Sequence, residues 1–144
     1  MSTTTIHKSV FLQADRETVW AFLTQKDKLG QWFHPATSDL QSGQPYELVE
    51  HKDDGSVDKM CWGEVISMDA PASMVWSLTV GPLQGAMTTV SWTLEEAAGG
   101  TRVTLVHEGV EAAAGAAALG LLQALDAGWD EHFAKLRTQV AAMV

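Results

Sequence analysis

The chain has 144 residues, with nine Lys plus Arg against eighteen Asp plus Glu and a formal charge of −9. Hydrophobic residues make up 46% and charged residues 19%, the balance of a folded domain with a real core. The acidic surplus, with no run of Lys or Arg, argues against nucleic acid and anionic membrane as partners, since both need basic patches.

Residues 6–12 read as a first strand, ending in Val10, Phe11 and Leu12. Asp15 is a good N-cap, Glu17 places negative charge in the first turn, and Val19, Trp20, Phe22 and Leu23 crowd one side, so 15–24 is predicted as a short helix. A second short helix is expected over 26–33, with Leu29, Trp32 and Phe33 as its apolar contacts and Pro35 as its stop.

The middle of the chain is strand after strand. Gly43-Gln44-Pro45 turns into a strand at 46–51, and Asp53-Asp54-Gly55 is a hairpin signal before a long strand at 57–68. Asp69-Ala70-Pro71 precedes a strand at 74–80, and residues 81–85 form a looser connection. At 87–95, Val90, Trp92 and Leu94 alternate with Ser91 and Thr93; after Gly99-Gly100, residues 102–108 alternate again, with Val103, Leu105 and His107 on one face. Such alternation implies a sheet with one face covered and one solvated. Met60, Met74 and Met87 read as adaptable core fillers. The Ala-rich stretch 112–118 is either a loop or an early, fraying piece of the last helix.

That last helix, 119–143, has the clearest periodicity in the chain. Leu119, Leu122, Leu125, Trp129, Phe133, Leu136, Val140 and Met143 recur at steps of three or four and define one apolar stripe. A rod of that length, roughly 40 Å, needs a flat apolar surface to lie on. The order of strand, two short helices, five strands and long helix is an α+β layer fold in one domain, residues 1–144.

Four pieces of sequence carry a family resemblance: Ala14-Asp15-Arg16-Glu17-Thr18-Val19-Trp20, Gly63-Glu64-Val65-Ile66-Ser67-Met68-Asp69-Ala70-Pro71, Gly99-Gly100-Thr101-Arg102-Val103-Thr104-Leu105-Val106-His107, and Gly128-Trp129. In this order the chain resembles the helix-grip fold of the START-like (SRPBCC) superfamily, shared with birch-pollen-allergen-like proteins. Within it, the chain is similar to bacterial homologues of the heat-shock-protein-90 ATPase activator. The resemblance implies a curved six-stranded antiparallel sheet wrapped around the long C-terminal helix, with a cavity between them. Superfamily members use that cavity for lipids, sterols, polyketides and other apolar molecules, and some cyclise or hydrate what they bind.

The six tryptophans divide between ordinary core packing and the lining of an apolar pocket. The candidate ligand-binding set is Trp32, Phe33, Trp62, Trp76, Trp92, His107, Trp129 and Phe133. Trp92 and Trp129 are expected to face each other, Trp62 and Trp76 to lie on neighbouring strands, and Trp32 and Phe33 to sit where the resemblance puts the cavity mouth. Gly128 in a helix costs about 1 kcal/mol against Ala, offset by close helix–sheet packing or by room for a ligand beside Trp129. His107 is either a buried imidazole bonded to backbone or a polar anchor for a ligand.

No histidine spacing suits a metal, no cofactor fingerprint is present, and no nucleophile triad has motif context, so no metal, cofactor or catalytic residue is assigned. The leading expectation is a non-enzymatic module for a small apolar or amphipathic molecule. A cyclase or hydratase using His107, Glu64 or Glu47 as acid–base groups is the second. A chaperone-interacting module with an exposed apolar patch around Trp32 and Phe33 is the third. Cys61 is the sole cysteine, which fits a reducing compartment; no secretory signal is apparent, and 112–122 is too short to span a membrane, so a cytoplasmic protein is expected, as monomer or homodimer.

Overall fold

A computed structural model describes residues 3–143. Its strands are β1 (Ile6–Leu12), β2 (Pro45–His51), β3 (Val57–Asp69), β4 (Ser73–Val80), β5 (Thr88–Ala97) and β6 (Gly100–Glu108). They form one six-stranded sheet in the order β1-β6-β5-β4-β3-β2, with every pair antiparallel. Consecutive strands from β2 onward are neighbours, as their short turns require. β1 closes the sheet against β6, the partner most distant in sequence.

Helices α1 (Arg16–Thr24) and α2 (Lys26–Trp32) follow β1, as predicted to within a residue or two. The Asp15 carboxylate accepts from the Thr18 N–H at 2.8 Å and caps α1. The stretch 112–118 is neither a loop nor a frayed start of the last helix. A separate short helix, α3 (Val110–Ala114), leads into a 3-10 turn and then α4 (Ala118–Ala141). Gly109 at φ 90° and Gly115 at φ 58° supply the left-handed backbone that makes these breaks.

One face of the sheet is dry. Val90, Trp92, Leu94, Val103, Leu105 and His107 are all 2% exposed or less, and the residues between them are wetter. Register shifts at Leu48/Val49 and Val65/Ser67 put bulges at both edges of β3, and the sheet bends over α4. α1 and α2 fill the rest of the dry face, with Phe22, Leu23, Leu29 and Trp32 buried.

The apolar stripe of α4 is covered along half its length only. Trp129, Phe133, Leu136 and Val140 are buried, whereas Leu119 is 71% and Met143 57% exposed, and Leu122 and Leu125 are half-buried. The rod overhangs its sheet at the N-terminal end. The continuous run Val110–Ala141 is also longer than the stretch 112–122 and passes for a membrane-crossing segment by length and composition alone. Its C-terminal half nonetheless belongs to the core. A Lys8 ammonium between Asp126 (2.7 Å) and Asp130 (3.0 Å) ties α4 to β1 at the point where the overhang begins. Of the three methionines expected as core fillers, Met74 is buried, Met60 half-buried and Met87 47% exposed.

Gly63 is a packing device in β3. It lies opposite Tyr46, whose hydroxyl reaches across to donate to the Ser77 carbonyl on β4 at 2.7 Å. A Cβ at Gly63 would collide with the Ser77 carbonyl oxygen. Gly63→Ala is therefore expected to cost at least about 3 kcal/mol, because the obstacle is backbone and cannot swing aside. Urea denaturation checks this, with Gly128→Ala, which meets nothing within 4 Å, as the neutral or stabilising control.

Candidate functional site

Where α4 leaves the sheet, a half-open cavity of about 430 Å³ lies beneath it. Leu121, Ala124, Leu125, Gly128, Trp129 and His132 of α4 form its roof. Met60 and Cys61 of β3, Leu78 and Val80 of β4, and the Gly81-Pro82 corner form its floor. Phe33 and His34, just past α2, close one side. The Cys61 thiol is pushed up to about 12 by burial, which leaves it an inert apolar surface.

Two of the eight candidate residues, Phe33 and Trp129, line this cavity. Trp32, Trp76, Trp92 and Phe133 are buried in the core behind it, between 0% and 5% exposed. Trp92 is their hub. Its ring centroid lies 6.1 Å from Trp32, 5.2 Å from Trp76, 5.8 Å from Trp129 and 6.1 Å from Phe133. Trp92 and Trp129 do face each other, edge to face at 84°. The Trp92 indole N–H has no hydrogen-bond partner, and its near-perpendicular contacts with Trp32 and Trp129 are the surroundings in which an aromatic face can replace one.

Trp62 faces away from this cavity. It pairs with Thr79 and Glu47, one residue out of step with the cavity-lining Cys61 and Val80, and the Lys59 ammonium rests 4.4 Å from its ring centroid. Between the two bulges β3 alternates regularly, so Trp62 turns opposite to Cys61 and Val65. Trp32, 1% exposed, donates its indole N–H to the Phe22 carbonyl at 2.8 Å, so no exposed patch is built on it.

His107 is 0% exposed and fully engaged, but by side chains rather than backbone. Trp129 donates to its Nδ1 at 3.1 Å, and its Nε2 lies 2.8 Å from the Thr88 hydroxyl, which donates onward to the Leu78 carbonyl at 2.7 Å. The Thr88 proton is thus spent on Leu78, so His107 must carry its hydrogen on Nε2. Burial lowers its pKa to about 4, and it stays neutral. It anchors α4 to β6, β5 and β4 and does not touch the cavity.

Glu47 and Glu64 are exposed, and Glu47 pairs with Lys59 at 3.3 Å. The acid–base set of His107, Glu64 and Glu47 therefore does not converge. Two other titratable groups do. His34 and His132 stand on the cavity wall with ring centroids 5.5 Å apart, both packed on Phe33. Desolvation, with the charges of His132 and Lys135, lowers His34 to about 4. Desolvation also lowers His132, helped by Lys135 and opposed by its bond to Trp32 and by Glu131. The one signal for His132 was its place next to Phe133 and three residues from Trp129 on the helix. His34 had none. Among the described residues no three His, Cys, Asp or Glu side chains gather closely enough to hold a metal ion.

Residues 13–141 match the family described as Activator of Hsp90 ATPase homolog 1-like protein. No curated protein matches the sequence. Among solved structures, a Rhodobacter sphaeroides protein superposes with a TM-score of 0.78 at 22% identity, over 99% of this chain and 95% of that one. CalU16 from Micromonospora echinospora gives 0.73 at 19% identity, over 94% and 73%. DynU16, a protein of the dynemicin biosynthetic locus, gives 0.72 at 20% identity, over 95% of this chain and 47% of its own. At these identities the likeness is one of fold.

The His107 relay makes a pH-dependent prediction. With a folded value near 4 against an ordinary 6.5, its stabilisation is complete above 6.5 and is lost as pH falls towards 4. His107→Gln should shrink the loss of stability between pH 7 and pH 5 by ~2 kcal/mol relative to wild type, read from urea midpoints at each pH.

Proposed function

The chain belongs to the family of Activator of Hsp90 ATPase homolog 1-like proteins, and on that premise we propose that it binds a small, largely apolar molecule beneath the overhang of α4. One observation carries this. The apolar stripe that should lie on the sheet stops being covered at Trp129, and a cavity of about 430 Å³ occupies the missing contact. That volume falls within the roughly 300–1,000 Å³ of small-molecule sites, whose walls are mostly apolar with a few polar groups.

Gly128 supports the same assignment. A Cβ there would meet nothing within 4 Å, so the glycine is not needed for close packing and instead leaves its turn of the helix open to the cavity. The description of DynU16 as a product of a biosynthetic locus is in keeping with a fold that handles small molecules. A second reading, in which the bound molecule is also cyclised or hydrated, is favoured by the two imidazoles on the wall. Its test is mass spectrometry of an aromatic polyketide chain before and after incubation with the protein. An unchanged chain removes it.

Filling the cavity from the roof tests the binding reading. Gly128→Leu should weaken the binding of an uncharged fluorescent probe such as Nile red about tenfold while leaving the melting temperature at or above that of wild type, since the substitution relieves a helix glycine. Unaltered probe binding in a folded variant would place the ligand elsewhere.

A further inference from the structure

The proposed cavity has a polar corner of two imidazoles, one of which has its hydrogen-bonding role fixed by the protein. Nδ1 of His132 lies 3.2 Å from the Trp32 carbonyl oxygen. A carbonyl only accepts, so Nδ1 must carry the hydrogen and donate it, and the other nitrogen, Nε2, keeps its lone pair. His34, across the corner, packs its ring 4.8 Å from Phe33 and makes no hydrogen bond to the described residues, so its single N–H is free to donate. The corner therefore offers a fixed acceptor on His132 and, 5.5 Å away ring centre to ring centre, a His34 whose neutral ring can donate from one nitrogen and accept at the other.

We infer that the His34–His132 corner selects a ligand bearing a hydroxyl, a phenol, enol or alcohol, over one bearing a carboxylate, with the ligand hydroxyl donating to Nε2 of His132 and accepting from His34. This rests on the binding reading above and deepens it.

A carboxylate has no hydrogen to give and would set its charge against the His132 lone pair. The neighbouring groups do not reverse this. Lys59 lines the cavity but turns its ammonium to Glu47 at 3.3 Å and to the face of Trp62, and Lys135, exposed on α4 four residues from Glu131, acts on both imidazoles only through its charge. Cys61 stays protonated. The desolvation that lowers both histidines keeps the imidazoles neutral near pH 7, as the pattern requires.

The test compares 2-naphthol, 2-methoxynaphthalene and 2-naphthoate by calorimetry at pH 7.5, and reads the His132 tautomer in the unliganded protein from long-range proton–nitrogen NMR. The expected result is a hydrogen on Nδ1 of His132, with 2-naphthol bound about tenfold more tightly than either competitor. In His132→Phe the preference should collapse while 2-methoxynaphthalene still binds. Equal binding of 2-naphthol and 2-methoxynaphthalene overturns the inference and leaves the binding reading standing. A preference for 2-naphthoate, or a hydrogen on Nε2, also overturns it. Failure of all three probes to bind defeats both. The tautomer is measured on the wild-type chain, so a variant that does not fold leaves the inference open to refutation.

Discussion

The hydrogen-bond chain from Trp129 through His107 and Thr88 to the Leu78 carbonyl is the fixed point of this molecule. It runs from the terminal helix across three strands of the sheet, through a His107 that is 0% exposed. An unpaired imidazole or indole at such depth would cost roughly 1–3 kcal/mol, so the helix cannot rotate or slide without breaking it. Trp129 thereby becomes a pivot. On its C-terminal side, Phe133, Leu136 and Val140 lie on the sheet; on its N-terminal side, Leu125 and Leu121 stand clear of it over the cavity. The Lys8 clamp on Asp126 and Asp130 reinforces the same turn from the β1 edge.

The separation of rigid core and open cavity follows from that pivot. The tryptophan cluster around Trp92 sits behind Trp129 and is packed edge to face, with large side chains less than 2% exposed. Such a cluster offers a ligand nothing but one wall. Space appears where large residues give way to small or flexible ones: Gly128 and Ala124 above, Cys61 and the Gly81-Pro82 corner below. The aromatic residues supply stability, and the small residues supply the hollow. That explains why a tryptophan-rich sequence yields so few tryptophans at the site.

The same division accounts for what the sequence made legible. Alternation and helical period record which face is apolar, and an apolar face must be covered by something, so the strands, the sequential pairing of β2 to β6 and the terminal helix follow from residue spacing and short turns, whereas the place of β1 beside β6 does not. Val90, Trp92 and Leu94 are buried as their period demands. Period does not record how far the covering surface extends. Leu119 carries the same signal as Leu136, yet one is 71% exposed and the other 0%. Nor does it say which of two adjacent apolar residues turns inward: in β3 Cys61 lines the cavity, and Trp62 beside it does not. Single polar residues such as His34 fall outside any periodic argument, because their meaning depends on what the tertiary fold brings beside them. The glycine was the better clue. Gly128 is a local cost in a helix with no turn to justify it, and such a cost is offset only by close packing or by space, two outcomes that coordinates separate at once.

An apolar helix half left uncovered is a deficit the fold carries. Leu121 and Leu125 lose part of the roughly 25 cal/mol gained per Å² of apolar surface withdrawn from water. Filling the cavity with larger side chains from β3 and β4 would recover that energy without altering the sheet register, since Leu78 and Val80 already point into it. The proposed ligand would recover it too, and would bind more tightly to the extent that the protein has left the surface exposed and preorganised. The His107 relay ties the roof to the sheet with no ligand present, so the proposed ligand would meet walls that need not be assembled. On the proposed reading, the stability forgone beneath α4 would be available as binding energy, and the relay's hydrogen bonds oppose any collapse of the helix onto the sheet that would consume it.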